Sequence, residues 1–405
     1  MKAKRNVKTG LMKGVGANVV LLGLVSLFTD LSSQMVFPLI PLFLTTALGA
    51  SAAVVGLVEG AAETTASLLK VFSGYWSDKI ARRKPFVLFG YGLSSLMKPL
   101  FAFSYIWPSV LVIRIAERVG KGIRNAPRDA IIAESCDTDV RGKAYGIHRA
   151  MDGIGSIIGA VLGLILLIYL GFRNVFLVAG IPSLIAVLLI LFLKEEKKTH
   201  IVTNTLRISL NALTPQLKCF IIVATVFTFG HFGYAFLMLR VLDLDLTIDG
   251  WFSLGPNPTA MLLYALFYVV YTLFTIPAGT LSDKIGRKPV IAIGYTLFGL
   301  TSLGLVFVSN LYSIIGLFML YGVFYAMIDG VQRAFVVDLA PSELKATALG
   351  AFHTVTGLAA LPAGLIAGLL WDRVSPETTF IYGFVLSAVA VVLFMSFVHV
   401  DRAKR

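Results

Sequence analysis

Long apolar runs broken by short polar stretches set the pattern of this chain. Runs of roughly 18 to 25 apolar residues, the length that crosses a bilayer as a helix, can be drawn at about 17–44, 52–75, 85–104, 108–130, 144–169, 174–193, 218–241, 259–280, 289–308, 311–333, 346–370 and 379–399. They predict about twelve helices, six in each half, with a polar stretch from Lys194 to Lys218 between the halves. The expected fold is an all-α membrane protein organised as residues 1–193, a linker at 194–217 and residues 218–405.

The polar connections repeat. GYWSDKIARRKP beginning at Gly74 returns as GTLSDKIGRKPV beginning at Gly279, 205 positions later. RGKAYGIHRAMDG, with Gly146 and Gly153, lies over KATALGAFHTVTG, with Gly350 and Gly357, at an offset of 204. Two unrelated patterns at nearly one spacing point to an internal duplication, and repeats of this size are common in secondary transporters.

Composition agrees with a bilayer. At 57% hydrophobic, 14% charged and mean hydropathy +0.84, the chain has more apolar surface than a soluble core of its length could hide. The formal charge of +13 matters less than where the positive residues fall. Lys79, Arg82, Arg83, Lys84, Arg141, Lys143, Lys194, Lys284, Arg287, Lys288 and Lys345 join those of both termini on one side, while TTALGAS, SYIWPS and SNLYS on the other carry none. The loop with Asp243, Asp245 and Asp249 on that second side is acidic. By the positive-inside rule both termini are expected in the cytoplasm.

Basic residues dispersed over helix ends argue against nucleic acid as a partner. The basic start of the chain precedes a long apolar run with no small-residue cleavage site, which reads as a retained first span. Cys136 and Cys219, both near expected cytoplasmic ends, suggest neither a disulfide nor a metal cluster. The absence of a GxxxxGKS loop leaves the chain without a nucleotide motor of its own, and no cofactor is expected.

These residues resemble the major facilitator superfamily over essentially the whole chain. That family's loop signature, roughly G-x-L-x-D-r-x-G-r-r, is matched by Gly74, Asp78, Arg82 and Arg83, and again by Gly279, Asp283, Gly286 and Arg287. The first copy departs at Ala81 and Trp76. Gly74 would allow close helix approach, and Asp78 and Asp283 could accept from a helix N-terminus or pair with an Arg at the membrane surface, locking one conformation. There is weaker similarity to drug/proton antiporter branches: Gly155, Gly159 and Gly163 fit the fifth-span pattern, but Ala160 replaces its proline. In the fourth span, Arg114, Arg118, Gly120 and Gly122 stand in a different spacing from that branch's pattern. Small residues for tight helix packing account for the same glycines.

Ionisable residues inside spans cost about 2.5–3.5 kcal/mol each unless they face a partner or water, and most lie in the first half. On the fourth span Arg114, Glu117, Arg118, Lys121 and Arg128 share a helical stripe, with Arg124 and Asp129 beside it. Glu59, Glu63 and Lys70 share a face of the second span, and its two acids are expected to neutralise those bases. Lys98, His148, Arg149 and Asp152 follow. The second half offers His231, Arg240, Asp329 and Arg333. Arg124, Arg128, Asp129 and Lys70, near the cytoplasmic end, are expected to snorkel or to pair with the loop signature. Asp30, mid-span among Ser32, Ser33 and Gln34 with no cation three or four residues away, is the first choice for a proton carrier.

The resulting expectation is a secondary transporter of the inner membrane, monomeric, moving a small solute by alternating access with protons, in the export direction. Asp30, Glu59, Glu63, Arg114, Arg118, Asp152 and His231 form the expected coupling and cavity set. Gly74, Asp78, Arg82, Gly279, Asp283 and Arg287 form the gate. One rival is an organic-anion uniporter or symporter using the fourth-span bases; another is a membrane sensor that transports nothing. No metal-ligand cluster or Ser/His/Asp arrangement supports an enzyme.

Overall fold

The computed structural model describes residues 14, 16–80, 82–136, 140–195, 213–248, 253–341 and 344–398. The side chains of Tyr75, Asp78 and Ala346 lie outside that description, as do Ala81, Asp249, most of the 194–217 segment and the basic residues of both termini. The helices are α1 Ala17–Val36, α2 Leu39–Leu42, α3 Ala52–Ile80, α4 Lys84–Leu100, α5 Trp107–Glu134, α6 Arg141–Leu191 and α7 Pro215–Gly230. They continue with α8 Gly233–Asp243, α9 Pro256–Ile285, α10 Arg287–Phe307, α11 Leu311–Leu339, α12 Lys345–Arg373 and α13 Pro376–Phe397.

Prolines and polar caps mark many of the starts. Proline stands in the first turn of α4, α5, α7, α9 and α13, where its missing N–H costs no intrahelical bond. The side chains of Thr214, Asn310 and Ser375 accept from Leu217, Ser313 and Thr378 N–H at 3.3, 2.9 and 3.2 Å, capping α7, α11 and α13. Gly286, at φ 95°, turns the chain between α9 and α10, in a region where a Cβ would be strained.

Ten helical stretches among the described residues are long and apolar enough to cross a membrane. One is the 51-residue α6, whose Gly171 at φ 70°, ψ 172° splits it into two limbs, the expected fifth and sixth spans. The 28-residue α5 is long enough to span but owes its low apolar content to its charges. Counting both limbs and α5 gives the twelve spans the pattern predicts. The expected seventh span is present as Pro215–Asp243 and is broken within, α7 and α8 parting at His231.

Helices α1, α3, α4, α5 and α6 pack on one another, as do α7 and α9–α13. The two sets meet chiefly along α3 with α12 and α6 with α9, each pair taking the second span of one half and the fifth of the other. That arrangement is the pseudo-twofold the duplication implies. Ile154, Ile158, Ile165, Ile181, Val385 and Val392 stand exposed on the outside, the apolar belt expected of a lipid-facing surface.

Candidate functional site

The fourth-span charges converge as the helical spacing implies, with a different partner list. Arg114 is fully buried, with Nη2 2.9 Å from Glu59 Oε2 and Nη1 3.6 Å from Glu117 Oε2. The same Glu117 oxygen lies 3.6 Å from Arg118 Nε. Two acids and two bases thus alternate as Glu59, Arg114, Glu117, Arg118, a neutral group whose members offset one another's desolvation. Phe37, at the kink between α1 and Pro38, lies under both guanidiniums, 4.0 Å from Arg114 and 4.9 Å from Arg118, within cation–π range.

Glu63 does not join this network. It is exposed and forms no ion pair among the described residues, so the expected neutralisation of the α5 bases by Glu63 is corrected; the buried Glu117 on α5 itself takes that place. Its side chain receives only a 3.4 Å hydrogen bond from Ser67. Lys121 likewise has no ion pair among the described residues, and faces Arg118, Glu63, Glu117 and Asp30. Arg124 is corrected too. It is 4% exposed and stacks on Tyr91 at 4.2 Å instead of snorkelling. Arg128 pairs with Asp129 at 2.8 Å.

Asp30 is half-buried on α1 and has no hydrogen bond or ion pair among the described residues. Asp152, Lys121, Arg124 and Arg128 face it, and the buried Lys98 is committed next door, donating to the Thr29 carbonyl at 3.1 Å. Asp152, on α6, accepts from the Ser26 hydroxyl and lies 3.6 Å from both His148 and Arg149.

The opposite wall is aromatic. The α9 stripe Tyr264, Phe267, Tyr268 and Tyr271, at i, i+3, i+4 and i+7, meets Tyr321 and Tyr325 of α11 and Tyr234 of α8. His231 occupies the break between α7 and α8, with Nε2 3.1 Å from the Tyr321 hydroxyl. Gly233, at φ 71°, lets the chain restart as α8. Sequence reasoning missed this wall, Phe37 and the break, although the Gly230/Gly233 pair flanking His231 carried the signal for the last.

The halves touch unevenly. At the Ala52 end of α3, Gly60 sits so close to α12 that a Cβ would lie 2.7 Å from the Ala360 carbonyl, and Gly56 and Gly364 lie backbone to backbone. Asp372 completes this end by accepting from Ala52 and Ala53 N–H at 3.0 and 2.8 Å. Gln34 of α1 accepts from the hydroxyl of Tyr264 on α9 at 2.7 Å, a second link between the halves. At the opposite end Gly146 and Gly279 meet no atom within 4 Å of a built Cβ. The α3–α12 contact continues past Gly60, with Gly357 against Ser67 and Gly350 near Val71, while Glu59, Asp329 and Arg333 are 22, 38 and 31% exposed within their helices, so solvent reaches these charged groups.

At the repeated loops, a Cβ at Gly74 would lie 3.3 Å from the Ala126 Cβ of α5, whereas one at Gly279 would meet nothing within 4 Å. Arg82 is exposed. Arg287 pairs with Asp283 at 3.4 Å and with Asp338. The contacts expected of Asp78 lie outside the described side chains. Among the described residues no group of acids, histidines and cysteines could hold a metal.

The family model described as "Major Facilitator Superfamily" matches residues 22–260 and 252–405. The chain is 42% identical over 380 residues to "Uncharacterized MFS-type transporter MJ1317" of Methanocaldococcus jannaschii, covering 93% of this chain and 94% of that one. It is 26% identical over 274 residues, 64% of each chain, to the "Cis,cis-muconate transport protein" of Acinetobacter baylyi. Among solved structures it superposes on the nucleoside transporter NupG with TM-score 0.75 at 15% identity, covering 94% of this chain and 98% of that one. A bacterial homologue of the human lysosomal transporter Spinster, inward-facing and occupied, gives TM-score 0.74 at 14% identity over 93% and 95%.

Proposed function

This chain belongs to the Major Facilitator Superfamily and is a secondary-active transporter that moves small solutes by alternating access, and on that premise we propose that it couples a small organic solute to protons through Asp30. The observation carrying this reading is the state of Asp30: a mid-span carboxylate facing the interior with no partner among the described residues, while Glu59 and Glu117 are committed to Arg114 and Arg118. Intramembrane acids without a structural partner mark proton relays. The neutral Glu59–Arg114–Glu117–Arg118 group then acts as a scaffold, and Lys121, Glu63 and the tyrosine wall face the solute.

In this reading the termini are cytoplasmic, the protein sits in the cell's inner membrane as a monomer, and the Gly279 end faces the cytoplasm. Asp283 and Arg287 would serve the cytoplasmic gate, and Asp372 the outer seal. Export is the direction we favour, on the partial glycine pattern of α6. The rival organic-anion uniporter draws support from the unpaired Lys121 and from the muconate-transporting relative. A thermal-shift screen of organic anions, cations, sugars and drugs, beginning with cis,cis-muconate, identifies a solute through its stabilisation of the folded state. Flux of that solute in proteoliposomes should then move protons, read by an entrapped pH dye; flux with no pH change would select the uniporter.

A further inference from the structure

We propose that Asp152 and His148 form a proton relay beneath Asp30, leading from the mid-membrane carboxylate toward the Arg141 end of α6. The inference rests on the proton-coupled reading above and adds residues to it. Helices α1 and α6 pack along each other, with Gly155 and Gly159 against the backbone of Leu27 and Leu31, and this close approach fixes their register. The acidic and imidazole groups fall on a staircase in that register. Asp30 is the deepest step; Ser26, one turn before it on α1, holds Asp152 of α6; His148, one turn before Asp152, is the next step. Each four-residue step descends about 6 Å along the helices.

His148 is 1% exposed, its Nδ1 lies 3.6 Å from Asp152 Oδ2, and its Nε2 is buried without a hydrogen-bond partner. A buried imidazole with one nitrogen toward a carboxylate and the other unclaimed is suited to pass a proton from one side of its ring to the other. Nearby charges do not occupy it. Arg128 and Asp129 face His148 but are bonded to each other at 2.8 Å. Arg149 is 61% exposed and has water for its charge, so neutralising it does not account for Asp152 being held by Ser26 at 15% exposure. Lys121, Arg124 and Arg128 on α5 face Asp30, Asp30 in turn faces Lys98 of α4, and Tyr268 on α9 faces both Asp30 and Asp152.

The steps are proton transfers only. The carboxyl proton of Asp30 passes through intervening water to the Asp152 carboxylate, then to His148 Nδ1, while Nε2–H gives up its proton on the far side of the ring when the helix ends part and water reaches this buried nitrogen. Each step breaks one O–H or N–H bond and makes another, and the ring turns over before the next cycle.

Time-resolved infrared spectroscopy of the full chain in nanodiscs after a pH jump tests this without a solute, the proton itself being the probe. A carboxylic C=O band that is missing in Asp30→Asn is assigned to Asp30. In His148→Phe and Asp152→Asn that band should reach its wild-type amplitude on the order of 10²-fold more slowly, the scale of a lost acid–base group, while Asp152→Glu keeps the wild-type rate. Thermal unfolding identifies variants that misfold. Wild-type rates in both His148→Phe and Asp152→Asn would overturn the relay while leaving Asp30 as carrier. If Asp30→Asn removes no band, Asp30 takes no proton and the underlying reading fails with it.

Discussion

Asp372 is the acceptor for two backbone donors across the seam between the halves, and removing it should open the Ala52 end. Its carboxylate accepts from Ala52 and Ala53 N–H at 3.0 and 2.8 Å, so the last turn of α12 caps the first turn of α3. Such a cap is worth about 0.5–2 kcal/mol, with about 0.3–1 kcal/mol from placing an anion at the positive helix end. When the halves separate, water can satisfy the freed N–H groups, so the net stabilisation of the sealed state is about 1–2 kcal/mol. Asp372→Ala should therefore raise the ratio of states open at this end about 5- to 30-fold, with Asp372→Asn between the two. Gln34, beneath the seal, is a reporter: as Gln34→Cys, in a background with Cys136 and Cys219 changed to Ser, it should react faster with an impermeant maleimide added on that side. Equal labelling with and without Asp372→Ala would refute the argument, since the cap would then contribute nothing to closure.

Removing Glu59 strands Arg114 with a single long partner, so Glu59→Gln should destabilise by about 3–5 kcal/mol, and pairing it with Arg114→Met should recover part of the loss; a thermal double-mutant cycle that is purely additive would leave the network reading without support. Gly233 holds a positive φ of 71°, so Gly233→Ala should cost about 1–2 kcal/mol and lower the thermal midpoint; an unchanged midpoint would mean the break at His231 does not require that conformation. Asp283→Asn removes one partner of Arg287 at the exposed end of α9, and should alter cysteine accessibility from the two sides while leaving expression near normal. Unchanged labelling would count against a gate role.

Apolar run length carries the spans because a lipid-facing helix must be apolar over its whole length wherever its neighbours lie. The internal repeat at Gly74 and Gly279 likewise announces the two related halves. Pairing inside the cavity is a different matter. Glu59 and Glu63 are equivalent in type and share a face of α3, yet only Glu59 reaches Arg114, because one helical turn decides which acid stands opposite a given base. Glu117 lies on the same stripe as the bases it serves, so spacing alone shows the charges converging without saying which carboxylate closes the group. Arg124 reads as a snorkelling cation until Tyr91 of α4 is placed over it. Asp372 reads as an unremarked residue at a helix end, since its partners are backbone donors 320 and 319 positions away, and backbone groups leave no trace in sequence.

Coupling through Asp30 is tested most directly by flux in proteoliposomes of wild type and Asp30→Asn, using the solute that most raises the thermal midpoint. The substitution keeps the side chain's size and fixes it neutral. The account predicts that a pH gradient no longer drives solute movement in Asp30→Asn, while exchange between compartments of equal pH and solute binding both persist. Full pH-driven transport by Asp30→Asn would contradict it and remove Asp30 from the mechanism.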